Sequence, residues 1–285
     1  MLRLRTLAGH VVTPGDRDGP RPAATAASSG GLRVGVDSDP RQAAAAAAAS
    51  GGLRVGVIGT GGMGARHARN LSQRIAGATL AGIMDLDQAR AAEVAAECGG
   101  AAVFGDADAM ITSDDVDALV IASPDATHAP LALACVAAGK PVLCEKPLAP
   151  SVDQALEVVK AEVAGGRRLI QLGFMRVYDR AHLQVKQALE SGAVGRPLLF
   201  RGVHCNAHNA ANPYFAGTAE VATNAAVHDF HSARWLLGEE VVSVQAQAVP
   251  GQPHPEGAGG CRLLIAQLVF ESGALGVVEM NVDSG

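Results

Sequence analysis

The stretch LRVGVIGTGGMG, from Leu53 to Gly64, decides the fold. A short apolar run is followed at once by a G-x-G-x-x-G motif and then by a helix-like stretch to about Ile75. Gly59 permits the tight turn, Gly61 lets the backbone approach a pyrophosphate, and Gly64 lets the helix pack against the strand. The helix N-terminus attracts the phosphate charge. The motif therefore predicts a dinucleotide-binding turn between a strand and a helix.

A carboxylate supports the same interpretation. The second predicted strand, Thr79–Met84, ends at Asp85, 21 residues after Gly64. An acid at this spacing binds the ribose hydroxyls of NAD and repels the 2′-phosphate of NADP. The residues directly after it supply no compensating cation, although Arg90 is not far away. We therefore predict NAD as cofactor, with NADP less favoured. The predicted contacts in the turn are made by Gly59, Thr60, Gly61, Gly62, Met63 and Gly64.

Strands and helices alternate after this motif. Such alternation predicts a parallel, doubly wound sheet, that is, a Rossmann domain, here over residues 53–173. The predicted helices are Asp87–Glu97 and Pro130–Ala138, and the further strands are Ala102–Phe104, Ala118–Ala122, Pro141–Cys144 and Leu169–Leu172.

Residues 1–52 have a different composition. They hold clusters of Pro, Gly, Ser and Arg, seven consecutive alanines, and a first copy of the octet SGGLRVGV that recurs at Ser50–Val57. Only the second copy continues into the glycine motif. We interpret this segment as a low-complexity, disordered tail. It has no apolar stretch long enough for a signal peptide, so export is not expected.

Charge and cysteine content exclude several classes of partner. The net charge of −5 argues against nucleic acid or an anionic membrane surface. No apolar run approaches the roughly 20 residues that span a bilayer. The five cysteines are odd in number and lack C-x-x-C spacing, which is typical of a reduced, cytoplasmic protein.

Three segments carry polar residues to the expected ligand edge of the sheet. They are Glu145-Lys146-Pro147, the run GFMRVYD at residues 173–179, and NAAVH at residues 224–228. In this order they resemble the Gfo/Idh/MocA family (glucose-fructose oxidoreductase, inositol dehydrogenase and MocA), with inositol 2-dehydrogenase as the nearest branch. The resemblance covers Leu53 to about Val282.

The resemblance implies a second, α+β domain with a mainly antiparallel sheet, here at residues 174–285, through which family members often form oligomers. Four strand-like runs fit that domain: Pro197–Cys205, Val241–Val249, Arg262–Phe270 and Leu275–Val282. Family members continue with further strands and closing helices beyond this point. We therefore expect the second domain to be incomplete at its C-terminus and the protein to be a homo-oligomer.

By the same resemblance, Lys146 is the active-site lysine that stabilises a developing alkoxide, and His228 is the general base. Asn224 stands where the family has an aspartate one turn before the histidine, and His231 stands where a second aspartate is usual. The amide can orient the imidazole but cannot offset the charge of an imidazolium. Further cofactor-binding candidates are Ser123, His128, Glu145 and Lys146, and the substrate-binding candidates are Arg176, Tyr178, His204, His208 and His231.

Two functions stay open on these residues. The first is an NAD-dependent oxidoreductase that oxidises a secondary alcohol of a cyclitol or sugar by hydride transfer. The second is a dinucleotide-binding, catalytically impaired sensor or interaction module, which Asn224 favours. A zinc site among the histidines and Cys205 is not expected, because no pair has a recognised zinc-ligand framework. The predicted partner is a small polyol or sugar.

Overall fold

The computed structural model describes residues 52–206, 218–253 and 259–282. The predictions made for the N-terminal tail and for His208 lie outside these residues. Among the helices of the described ranges, none is both long and apolar enough to cross a bilayer.

A six-stranded, fully parallel sheet forms the first part of the described chain. Its strand order is β3-β2-β1-β4-β5-β6, the doubly wound arrangement that the alternating pattern predicts. Its elements are β1 (Leu53–Ile58), α1 (Gly62–Gln73), β2 (Ala78–Met84), α2 (Gln88–Glu97), β3 (Ala102–Phe104), α3 (Ala107–Thr112), β4 (Ala118–Ile121), α4 (Asp125–Ala137), β5 (Val142–Cys144), α5 (Val152–Ala164) and β6 (Ile170–Leu172).

Small aliphatic side chains fill both faces of this sheet. Val57, Ile83 and Ile121 are essentially inaccessible. Alanines of α1 and α2 share a buried cluster with Val57 and Ile83, and alanines of α4 share one with Ile121. A parallel strand buried on both faces must be apolar throughout, which is why β1 and β4 contain no polar residue beyond Arg54. The core therefore needs few aromatic rings, and the sheet holds its carboxyl edge rigidly.

A second, mixed sheet follows, with strand order β7-β10-β9-β8. Only the β10–β7 pair is parallel; the other pairs are antiparallel. One face packs on α8 around Phe270, Val278 and Met280. The elements are a 3₁₀ turn (Met175–Tyr178), α6 (Arg180–Glu190), β7 (Leu199–Cys205), α7 (Thr218–Val221), a π-helical turn (Ala222–Ala226), α8 (Val227–Leu237), β8 (Val241–Pro253), β9 (Gly259–Phe270) and β10 (Leu275–Asn281).

Two predicted boundaries differ from the structure by four residues or more. The helix expected to start at Pro130 begins at Asp125, so the proline lies inside α4, where it removes one hydrogen bond of the second turn. The strand expected to end at Val249 continues to Pro253 with a register shift at Pro250. A proline is tolerated there because β8 is an edge strand, which leaves one side of its backbone unpaired.

Candidate active site

The glycine turn has the geometry that a pyrophosphate needs. Gly59 has φ +92° and donates its N–H to the carbonyl of Met84 at 2.7 Å. A Cβ on Gly64 would lie 1.8 Å from the carbonyl oxygen of Gly59, so only glycine lets α1 start this close to β1. Gly61 and Gly62 have open space where a side chain would stand. The start of α1 has no side-chain cap, which leaves its first N–H groups for a phosphate.

Asp85 lies beside this turn at the end of β2. Its Oδ2 accepts from both the amide and the hydroxyl of Thr60, each at 2.6 Å. Its Oδ1 accepts from the amide of Asp87 at 2.9 Å and from Arg90 at 3.2 Å. Burial alone would raise the pKa of this carboxyl, but the hydrogen bonds outweigh it and hold the pKa at about 2. Asp85 is therefore a fixed negative charge where the ribose of a dinucleotide would lie.

Glu145 is anchored to the first helix. One carboxylate oxygen lies 2.9 Å from Nε2 of His67 on α1, and both side chains are mostly buried. Burial opposes ionisation of Glu145, yet the bond from His67 lowers its pKa below the ordinary value. The pair therefore fixes the end of β5 to α1, directly before Lys146.

His128 lies behind this edge. One ring nitrogen is 2.6 Å from the carbonyl oxygen of Pro147 and the other is 2.8 Å from that of Ser123. The ring is 1% exposed. Each ring nitrogen thus already faces a main-chain carbonyl, so neither is left to contact a cofactor. The contact with Pro147 positions the cis peptide between Lys146 and Pro147. Ser123 shares its hydroxyl with Thr127 at 2.6 Å.

Lys146 contacts the turn that leads into α8, the helix that carries His228. Nζ of Lys146 donates to the main-chain carbonyl of Asn224 at 3.1 Å. Asn224 lies in the π-helical turn that precedes α8, and His228 lies in the first turn of α8. π-Helical turns are frequent at functional sites. The structure thus brings Lys146, Asn224 and His228 together.

The hydrogen bond predicted from Asn224 to His228 is not found at Nδ1. That buried nitrogen has no hydrogen-bond partner among the described residues. Burial, followed by the positive charges of Lys146 and Arg176, lowers the pKa of His228 to about 4, and the negative charge of Asp229 offsets only part of this shift. The imidazole is therefore neutral at physiological pH and able to accept a proton.

A buried carboxylate that sequence reasoning missed binds two of the predicted substrate residues. Asp229 is fully buried and pairs with Arg176 at 2.8 Å and with Nδ1 of His204 at 3.1 Å. Gly202 leaves room for it, since a Cβ there would lie 3.1 Å from Oδ1. Arg176 and His204 are thus brought together by a residue of α8, and their binding of substrate stays a prediction.

Phe174 contacts both His231 and His228. The rings of Phe174 and His231 stack with centroids 3.9 Å apart and an interplanar angle of 14°, and Phe174 meets His228 edge-on at 6.0 Å. Nδ1 of His231 is also buried without a hydrogen-bond partner, and burial lowers its pKa. Tyr178, in contrast, is mostly exposed. Within the described ranges, no three His, Cys, Asp or Glu side chains are arranged to hold a metal ion.

The parallel sheet and the glycine turn at its carboxyl edge are those of a Rossmann-type dinucleotide-binding domain. A family model described as "Oxidoreductase family, NAD-binding Rossmann fold" matches residues 53–174, and the Gfo/Idh/MocA C-terminal domain model matches residues 182–285. The chain belongs to the Gfo/Idh/MocA family.

Similar proteins include inositol dehydrogenases. Inositol 2-dehydrogenase of Rubrobacter xylanophilus is 52% identical over 80% of this chain and 65% of its own length. Inositol 2-dehydrogenase 2 of Saccharopolyspora erythraea is 46% identical, over 80% of this chain and 66% of its own. The chain thus spans about two thirds of the length of these curated relatives.

Among solved structures, myo-inositol dehydrogenase of Lactobacillus casei, in complex with NAD(H) and myo-inositol, aligns with a TM-score of 0.73 at 28% identity. The alignment covers 81% of this chain and 68% of that one. A probable dehydrogenase of Thermotoga maritima aligns with the same TM-score at 32% identity, over 81% of this chain and 69% of its own.

Proposed function

We propose that this protein oxidises a secondary alcohol of a cyclitol, with an inositol as the first candidate, using NAD as hydride acceptor. The observation that carries the proposal is the meeting of Lys146 with the turn that leads to His228, next to the glycine turn. The inositol dehydrogenases among its relatives support the substrate class.

The residues present fit the cofactor. The open space at Gly61 and Gly62 and the uncapped start of α1 suit the pyrophosphate, and Asp85 suits the adenosine ribose. The supporting residue Glu145, fixed by His67, positions the neighbouring Lys146. Bound NAD supplies the hydride acceptor of the reaction.

The protein's own residues handle the proton. An ammonium has three donors, of which one is used on the carbonyl of Asn224, so Lys146 can also donate to the substrate oxygen and stabilise a developing alkoxide. His228, neutral because its pKa is about 4, accepts the hydroxyl proton. Arg176, His204 and His231 line the substrate side, with the first two oriented by Asp229.

The test is turnover with a panel of inositols and aldoses, followed by the absorbance of the reduced nicotinamide. We expect activity with at least one inositol. In His228→Ala, kcat should fall 100-fold or more, since removal of a general base typically costs about 10²–10⁴ in rate. Lys146→Met should show a comparable fall in kcat. NAD affinity should stay close to that of the unsubstituted protein in His228→Ala. If NAD binds but no polyol or sugar is turned over, the alternative of a dinucleotide-binding module replaces the enzyme.

We also propose self-association through the outer face of the second sheet. Exposed apolar side chains from β7, β8, β9 and β10 share that face in the observed register: Leu199, Val203, Val249, Ile265 and Leu275. Polar side chains, among them the ion pair of Arg201 with Glu279, lie between these apolar ones. Exposed apolar side chains grouped among polar ones are typical of an interaction surface. Sedimentation velocity should show an oligomer that Val203→Glu dissociates.

A further inference from the structure

Asp85 has no acceptor capacity left in the free protein. An ionised carboxylate offers about four lone-pair positions. Two donors from Thr60 reach Oδ2, and the amide of Asp87 and the guanidinium of Arg90 reach Oδ1. A ribose hydroxyl can therefore bind Asp85 only if one of these donors leaves.

Arg90 is the donor that can leave. The two amides are fixed by the backbone, and Thr60 is 3% exposed. The side chain of Arg90 is 49% exposed, and its contact of 3.2 Å is the longest of the four. Arg90 can reach solvent when this contact breaks, and Asp85 keeps its three other donors, so displacing the contact leaves neither charge buried without a partner.

A displaced Arg90 would still lie beside the ribose. It occupies the first turn of α2, three residues after Asp87, whose side chain caps that helix through the Arg90 amide. Its guanidinium is thus tethered at the point where the 2′ position of the cofactor meets Asp85. A guanidinium binds a phosphate through paired hydrogen bonds, whereas a bare carboxylate repels it.

We propose that Arg90 sets the discrimination between the two nicotinamide cofactors: it neutralises Asp85 in the free protein and pairs with the 2′-phosphate when NADP binds. The proposal rests on the proposed cofactor site, and it assigns to Arg90 a second ligand chemistry, a ribose 2′-phosphate. NAD remains preferred because its ribose 2′-hydroxyl can donate to the one acceptor position that Arg90 vacates on Asp85, whereas a 2′-phosphate has no proton to donate there. NADP, however, meets an Asp85–Arg90 pair without net charge and binds measurably.

The test compares Kd for NAD and for NADP by titration calorimetry at one fixed salt concentration. In Arg90→Gln we expect the ratio Kd(NADP)/Kd(NAD) to increase tenfold or more, chiefly through weaker NADP binding. Arg90→Lys keeps the charge and should give an intermediate ratio. Arg69→Gln is the matched control, since Arg69 is an exposed arginine paired with Glu97 away from Asp85. It should leave the ratio unchanged.

The outcomes separate this inference from the proposed function. A ratio in Arg90→Gln that stays within threefold of the unsubstituted protein, while NAD still binds, overturns the role of Arg90 alone. A protein that binds neither cofactor overturns both the inference and the proposed function. NAD binding without turnover of any polyol refutes the enzyme but leaves the role of Arg90 to be decided by the same ratio. Equal melting temperatures of the variants exclude misfolding as the cause.

Discussion

The substitution Asn224→Asp should raise the basicity of His228. The imidazole is buried beside two cations, and its pKa of about 4 makes it a weak base for an alcohol proton. A carboxylate one turn earlier would stabilise the imidazolium by charge attraction, which the amide of Asn224 cannot do. The pKa of His228 should therefore rise, and with it the driving force for proton transfer.

The size of the effect follows from the helix geometry. Side chains one turn apart have Cβ atoms about 5–6 Å apart. At an effective dielectric constant of about 20, opposite charges at this distance attract by about 3 kcal/mol, or about two pKa units. Lys146 already donates to the main chain at Asn224 and will neutralise part of the new charge. We therefore expect a rise of about one to two units, to a pKa of about 5 to 6.

Two measurements report this value. Because protonated His228 cannot accept a proton, kcat/KM should fall as the pH drops through the pKa of the free enzyme. The unsubstituted protein should keep a plateau down to near pH 4, whereas Asn224→Asp should lose activity one to two units higher. NMR titration of the histidine ring protons, assigned by the signal missing in His228→Ala, should give the same shift without turnover.

Thr223→Asp is the matched control. Thr223 is exposed and adjacent in sequence, and its hydroxyl donates to the carbonyl of Ala219, so the new charge would lie on the solvent side. It should shift the pKa of His228 by less than about half a unit, because solvent screens the new charge. A shift in Asn224→Asp no larger than in this control would refute the electrostatic account of His228.

Three further predictions concern the fold and the cofactor turn. Gly64→Ala should lower the free energy of unfolding in urea by about 2 kcal/mol or more and abolish most NAD binding, because the new methyl group would overlap the carbonyl of Gly59. Gly62→Ala is the control: it has open space around it and should unfold like the unsubstituted protein. Asp229→Asn should lower the free energy of unfolding by about 3 kcal/mol in the same assay, because loss of this fully buried carboxylate leaves Arg176 and His204 without their partner. Equal stability would contradict the buried pairing. Deleting residues 1–50 should leave the melting temperature and NAD affinity unchanged, and a large loss of either would show that the segment is structural.

The first sheet could be predicted from the sequence because its signals are local. The apolar strands, the glycine turn and Asp85 each follow from spacing along the chain, and all six strands of the parallel sheet were anticipated. The helix α5 is not predicted from the sequence, although Ser151 caps its start: the serine hydroxyl accepts a hydrogen bond from the backbone N–H of Gln154. That capping signal could have revealed it.

The site was only partly predictable, because contacts between distant segments leave no periodic signal. Lys146 and His228 were found by resemblance, but the pairing of Glu145 with His67 joins residues 78 positions apart. Asp229 is a carboxylate next to the predicted base, and its identity alone does not show whether it faces solvent or the side chains of Arg176 and His204. Burial decides this, and burial depends on the packing of α8 against β7.

The buried carboxylate of Asp229 limits the routes by which this pocket could acquire a new substrate. Arg176 and His204 come from different segments of the chain, yet each is bound by the same side chain. Replacing Arg176 alone would unbalance the group, whereas replacing it together with Asp229 by uncharged residues of similar size could be neutral for stability. Redesign of specificity should therefore change these positions as a set, and natural variants of this pocket should differ at them jointly.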